Sequence, residues 1–267
     1  MEQAKEFKDD PRLVSSADGS VWYLLLNNKT KALSNAKVRK AILMSINRDE
    51  LANVVLNGSG KVPKTLVPSG LGIQGLQKEF TEEVPTSIPG YNPEEAKKLL
   101  AEGLKELGIS KMPVLNIVIK ENSIDRFSEN LKKYLGIDVK VTRVSYKDLI
   151  LKSRKKDFDI IENEILLGFS DPILYLERFV SDSPHNYGSY SNSEYDKLIK
   201  IASETKDINV KTDDLIKAEN IYEKENPAAK MGYGEITHVI LERPGIKGLK
   251  LVPYGGILYL RNVNKAK

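Results

Sequence analysis

Cysteine is absent from the 267 residues, which removes disulfides, thiolate metal sites and cysteine nucleophiles together. Histidine is scarce: His185 and His238 are the only two, and no catalytic triad order surrounds either. His185 sits in a polar loop and reads as solvated, while His238, between Thr237 and Val239, reads as a strand residue. Glu235 and His238 make a lone Glu-x-x-His, but on the extended segment expected there their side chains point to opposite faces, so no metal site follows. No apolar run approaches the ~20 residues that span a bilayer. The polar opening MEQAKEFKDDPR is read as carrying no signal peptide. A strong charge of one sign is missing as well. The 41 basic and 37 acidic residues leave only +4, and they interleave, as in KKLLAEGLKEL. The densest basic run, KSRKK at 152–156, has no aromatic interleaving and reads as a solvated helix end, so no nucleic-acid partner is expected.

Two glycine-rich stretches lack the setting that would make them phosphate sites. GLGIQG (Gly70–Gly75) matches G-x-G-x-x-G, but Pro63 and Pro68 deny it a preceding strand and no helical pattern opens at Gly75. GSGK (Gly58–Lys61) lacks both the earlier glycine and the following Ser or Thr of a P-loop.

What remains is ordinary for a globular protein: 40% hydrophobic and 29% charged residues, with length for one large domain or two modest ones. Residues 1–14 read as an arriving linker. SVWYLLLN (Ser20–Asn27) reads as a strand holding Trp22 in the core. A helix is expected from Ala36 to Ser45, then a break at Asn47-Arg48 and a helix capped by Asp49. YNPEEAKKLLAEGLKELG gives the clearest helix. Asn92 caps it, Pro93 takes its first position, Glu95 completes a capping box, and Gly108 ends it. Its apolar stripe is Ala96, Leu99, Leu100, Leu104 and Leu107.

From there the pattern alternates. VLNIVIK (Val114–Lys120) is a strand, IDRFSENLKKYLG a helix, IDVKVTRV (Ile137–Val144) a strand, and Ser145–Arg154 a helix. FDIIENEILL (Phe158–Leu167) follows as a strand largely buried on both faces. Strands joined by single helices predict parallel neighbours with covering helices, an α/β fold with a mixed sheet. Such sheets bind ligands at the carboxyl ends of their strands, which puts Leu166 to Asp171 at the site edge. Past Gly168 the Asp171-Pro172 pair opens a helix carrying Tyr175, Leu176, Phe179 and Val180. A second helix starts at Ser193, and polar helical sequence continues to Asn226. AAKMGYGE reads as a strand, and the glycine-punctuated PGIKGLKLVPYGGILYLRNV closes the chain.

Three ordered phrases resemble the extracellular solute-binding proteins of peptide ABC importers, the oligopeptide- and dipeptide-binding family. The first is "VRKAI…IxRxEL", here Val38, Arg39, Lys40, Ala41, Ile42, Ile46, Arg48, Glu50 and Leu51. The second is the Y-x-P-E-x-A-K-x-L-L-A-E phrase from Tyr91. The third joins the strand that ends before Asp171-Pro172 to Tyr190, Asn192, Glu194, Tyr195, Asp196, Leu198 and Ile199. The resemblance covers nearly the whole chain but only half of such a protein. It implies the second lobe of a two-lobed periplasmic-binding-protein type fold, in residues 15–245. Residues 246–267 would be a crossover segment returning toward a missing N-terminal lobe. It also implies a peptide ligand, an ABC-importer permease as partner, no cofactor, no catalysis, a monomer, and a full-length parent that is a cell-surface lipoprotein or periplasmic.

The ligand-binding residues expected on this resemblance are Glu162, Glu164, Ile165, Leu166, Gly168 and Asp171. The family's acid for the peptide amino terminus falls where this chain has Gly168, so Asp171, Glu162 or Glu164 would have to replace it. Each has a plainer reading. Asp171 before Pro172 is an efficient helix start, and the two glutamates are also explained by outward alternation on an edge strand. Tyr187, Tyr190 and Tyr195 read as packing residues. Two other classes stay open: an α/β enzyme of hydrolase or transferase type using Asp171 and Tyr190, and a surface scaffold domain that binds nothing.

Overall fold

The strand that the sequence places at the centre of the chain lies inside the sheet, buried at both ends of its span. The computed structural model describes residues 7, 10–17, 19–55, 62–72, 79–85, 89–120, 125, 127–167, 169–229, 237–251 and 258–265. In chain order, β1 (Leu13–Ala17) and β2 (Val21–Leu26) lead into α1 (Ala36–Met44), α2 (Arg48–Val55), α3 (Phe80–Glu83) and α4 (Pro93–Leu107). Then β3 (Leu115–Lys120), α5 (Phe127–Leu135), β4 (Val139–Val144), α6 (Tyr146–Lys155) and β5 (Ile160–Ile165) alternate. The short α7 (Ile173–Leu176) runs into a 3₁₀ turn, Glu177–Phe179, ahead of α8 (Ser193–Glu204) and α9 (Ile208–Glu225). Short strands finish the chain: β6 (Ala228–Ala229), β7 (Thr237–Leu241), β8 (Ile246–Lys247), β9 (Lys250–Leu251), β10 (Leu258–Tyr259) and β11 (Asn264–Lys265).

The main sheet has the order β4-β3-β5-β2-β6. β4, β3 and β5 run parallel, as helix-bearing crossovers require. β2 is antiparallel to both β5 and β6, so the sheet is mixed. β5 therefore lies between β3 and β2, and Glu162 on it is buried, so outward alternation does not account for Glu162.

Helices cover both faces. Val21, Tyr23, Leu25, Val118, Ile161 and Ile165 pack on one face with Leu149, Tyr175, Tyr195, Leu215 and Tyr222 from α6 to α9. Leu24, Leu26, Ile117, Ile119 and Ile160 pack on the other with Val38, Ile42, Leu100, Phe127 and Leu131 from α1, α4 and α5. Trp22 is half-buried at the rim of the second cluster. Tyr190 and Tyr195 are buried packing residues whose rings meet edge-on at 5.6 Å.

The helix starts follow local chemistry, with two corrections. Asn92 Oδ1 accepts the Glu95 N–H, and Gly108 ends α4 at φ 64°. The capping box is only half made, because the Asn92 N–H donates to Met44 O at 2.9 Å and so docks α4 on the end of α1. At α2 the cap is Asn47, whose Oδ1 accepts the Glu50 N–H at 3.1 Å, rather than Asp49, which is already inside the helix. Ser145, Asn192 and Asp207 cap α6, α8 and α9 through their side chains. The helix expected to start at Ser193 and the polar helical region expected after Ile199 to about Asn226 are two helices, with a break at Thr205 to Asp207.

Arg39 ties the ends of the fold together. It is buried, and its guanidinium donates to the carbonyls of Leu33, Ser34, Glu225 and Asn226 at 2.7–3.2 Å.

β1 pairs with β7 from Leu13↔Leu241 to Ala17↔Thr237, with His238 opposite Ser16. Gly168, Glu235, the GSGK stretch, residues 73–75 of GLGIQG and residues 230–235 of the expected last strand lie outside the described residues. Among the described residues, no helix is long and apolar enough to cross a membrane.

Candidate functional site

The carboxyl end of β5 is where the sheet loses its regular pairing. β5 follows β2 along its whole length, from Leu26↔Ile160 to Val21↔Ile165. Against β3 the ladder contains only Ile117↔Ile160 and Val118↔Ile161. Beyond it, the Lys120 N–H donates to the Glu162 side chain at 3.0 Å, and the Glu164 N–H to Asn163 Oδ1 at 2.9 Å. Side chains thus occupy donors that a continued ladder would pair with backbone. Asn27 N–H donates to Asp159 O just before the β2–β5 ladder. Alternation from there turns the backbone groups of Asn163 and Ile165 toward β2, and those of Glu164 and Leu166 away from it.

Glu162 and Glu164 share one cation. Glu162 is 2% exposed, with Lys120 Nζ 3.7 Å away, and Glu164 Oε2 lies 3.1 Å from the same Nζ. That ammonium also sits 3.5 Å from the centre of the Trp22 ring. A carboxylate this buried is tolerable only with a partner, because an unpaired buried charge is strongly destabilising. Ile165 is buried opposite Val21 and serves the core. Leu166 is 60% exposed and Phe169 76%, so the exit of the strand carries two large apolar side chains in solvent. Gly168 between them lies outside the described residues.

Asp171 stands apart from the two glutamates, on a cation of its own. Its Oδ1 accepts the Ile173 N–H at 3.1 Å, and Lys211 Nζ lies 2.7 Å from Oδ2. The cap position of α7 is Pro172 rather than Asp171, but Asp171 accepts the N–H of the first helical residue, closes the turn into α7 and fastens that turn to α9. A small cleft beside it is lined by Ser170, Pro172, Ile208 and Leu215.

A larger cavity of about 100 Å³ lies against β5, lined by Lys120, Tyr146, Leu149, Ile150, Glu162, Asn163, Glu164, Arg178 and Tyr187. Arg178 enters it from the 3₁₀ turn with a buried Nε that has no hydrogen-bond partner among the described residues. Its charge is felt nearby. Burial first, and then Arg178, hold the His185 imidazole below its ordinary value. Burial pushes the Tyr23 phenol up, with Arg178 pulling the other way.

The sequence reading found the strand and its acids but missed Lys120, Lys211 and Arg178. Only Lys120 had a visible cue, as a lone cation closing an apolar strand. Among the described residues no group of three or more His, Asp and Glu is placed to hold a metal ion.

Residues 1–187 match the family model described as bacterial extracellular solute-binding proteins, family 5 Middle. The dipeptide-binding protein DppE of Bacillus subtilis (strain 168) is 26% identical over 94% of this chain and 46% of its own length. The oligopeptide-binding protein OppA of the same organism is 29% identical over 96% of this chain and 47% of its own. Among solved structures, Listeria monocytogenes OppA bound to peptide is 25% identical with a TM-score of 0.77, over 100% of this chain and 52% of that one. The chain spans about half the length of the curated relatives it matches.

Proposed function

We propose, since this chain belongs to the bacterial extracellular solute-binding proteins of family 5, that it is one wall of a peptide-binding cleft serving an ABC importer outside the cytoplasmic membrane. Residues 15–245 would form that lobe, and residues 246–267 would lead back toward a partner lobe. The relatives' names, dipeptide- and oligopeptide-binding protein, support the ligand class. Their length supports a second wall, since about half of each relative has no counterpart here.

The observation that carries the reading is the early end of the β3–β5 ladder at Val118↔Ile161. It leaves the Glu164 carbonyl and the backbone groups of Leu166 turned away from β2, the Glu164 N–H being held by Asn163 Oδ1. An extended peptide can add to such an edge by main-chain hydrogen bonds, which makes binding tolerant of side-chain sequence. Leu166 and Phe169 would supply apolar contact beside it. Glu162, Glu164 and Asp171 are each held by a lysine of the chain itself. Recognition therefore rests on backbone pairing more than on a carboxylate for the peptide amino terminus.

Amide-resolved NMR of this chain with a pool of short peptides tests the proposal. The expected result is perturbation concentrated between Asn163 and Leu167. Leu166→Pro should remove it with the fold intact, because that backbone N–H has no place in the β2–β5 ladder. A spectrum indifferent to every peptide, or one perturbed only at a distance from β5, would overturn the reading.

A further inference from the structure

We propose that Arg178 forms an anion subsite in the cavity beside β5, taking a carboxylate of the bound ligand. The inference rests on the peptide-binding reading for the ligand's identity, but its chemistry stands on the cavity. Arginine carries five N–H donors and no acceptor, and buried donors are almost always paired in folded proteins. Arg178 Nε is buried with no partner among the described residues, and the side chain lines a cavity of about 100 Å³. That is roomier than the roughly 30 Å³ share of one water molecule in the liquid.

The acids in the same cavity are already engaged by Lys120. Glu164 Oε2 is 3.1 Å from Lys120 Nζ, and Glu162 receives the Lys120 N–H as well as lying 3.7 Å from its ammonium. Counted together, Lys120 and Arg178 balance Glu162 and Glu164, so the empty cavity carries no net charge. The guanidinium still offers the planar, forked donor set that fits a carboxylate with two parallel hydrogen bonds. Tyr146 and Tyr187 line the cavity beside it and bring hydroxyl donors. An oxygen anion entering here satisfies a buried donor that has no partner among the described residues. That carboxylate comes either from an acidic side chain or from a peptide's carboxyl terminus.

The test is a titration of this chain, labelled at its arginine side chains, with three small probes followed at the Nε–H resonances. N-acetylglutamate α-amide carries a side-chain carboxylate, N-acetylalanine a terminal one, and N-acetylglutamine amide none. Arg178 is identified by the signal that Arg178→Gln or Arg178→Lys removes. At least one carboxylate probe should shift that signal saturably with a dissociation constant on the order of millimolar, and the glutamine probe should not. The stronger of the two carboxylate probes names the source of the anion. No saturable shift up to about 50 mM, well above that constant, or an equal shift with the glutamine probe, would overturn the subsite. These probes lack an extended backbone, so the subsite and the peptide reading fail separately. Neutral capped peptides that bind while the carboxylates do not would sink only the subsite, and the reverse would sink only the peptide edge.

Discussion

Asp171 Oδ2 lies 2.7 Å from Lys211 Nζ, while Asp171 Oδ1 accepts the Ile173 N–H. One carboxylate thereby starts a helix and pins it to a second helix forty positions along the chain. The two roles separate by mutation. Asn keeps the helix-start acceptor, so Asp171→Asn loses only a partly exposed ion pair, about 0–1 kcal/mol. Asp171→Ala loses both, about 1–2 kcal/mol. Chemical denaturation should rank the variants in that order, with Lys211→Met close to Asp171→Asn. If Asp171→Asn instead weakened ligand binding while leaving stability alone, the carboxylate would belong to the ligand and not to Lys211.

Gly103→Ala tests how tightly α4 lies on α1. In an open helix the change gains up to about 1 kcal/mol. Here a Cβ at 103 would stand 2.7 Å from Val38 Cγ2, 3.0 Å from Asn35 Oδ1 and 3.1 Å from the Val38 N. Overpacking of this kind costs typically 1–3 kcal/mol, and two of the obstructing atoms belong to the cap and backbone of α1. Net destabilisation is the expected result, read as a lower melting temperature. A stabilised variant would mean that the helices part more readily than their packing implies.

These two cases show which parts were legible in the sequence. Asn92, Ser145 and Asn192 announce helix starts because a cap needs nothing beyond the next three residues. The strand–helix alternation from Leu115 to Ile165 needs only the period of its apolar residues. Arg39 was visible as part of a resembling phrase, but its role was not. Its acceptors at Glu225 and Asn226 lie 186 and 187 residues away, and a charge in an amphipathic helix ordinarily reads as solvent-facing. Glu162 misled for the same reason, since its partner Lys120 arrives through the parallel crossover. Gly103 looked like any residue of a strong helix because the fault of a larger side chain lies on α1. At the site, the strand was readable, whereas the divergence of β3 from β5 is a property of two strands together.

The pH response near Arg178 follows from the His185 imidazole, held below its ordinary value of 6.5 by burial first and by Arg178 second. A base with a depressed native pKa takes up its proton more readily when unfolded. Its contribution to stability is therefore complete above the unfolded value and declines as pH falls toward the native value, below which it levels off. NMR titration of His185 should give a midpoint below 6.5, and Arg178→Gln should raise it. His185→Gln should flatten the stability curve across the same window. A midpoint unmoved by Arg178→Gln would mean that the guanidinium charge is neutralised, which also counts against the anion subsite.

The chain should fold by itself and yet hold peptide weakly. Folding is expected because both faces of the main sheet are closed by helices of this chain, with Ile117, Ile160, Ile161 and Val118 at 0% exposure in its middle. A length of 267 residues is ample for such cores. Weak binding follows from how the ligand would be held. If the chain is one wall of a two-walled cleft, as proposed, about half the contacts would be gone, while the entropy lost on ordering the peptide would be unchanged. Each main-chain hydrogen bond to the Glu164–Leu166 edge replaces one to water and nets only about 1 kcal/mol. A peptide held at micromolar or tighter by a closed pair of walls should fall to roughly millimolar on this one. Calorimetric titration with mixed short peptides reads that number directly. Micromolar affinity would mean that the cavity at Arg178 and the β5 edge already form a complete site, and the one-wall account would fall.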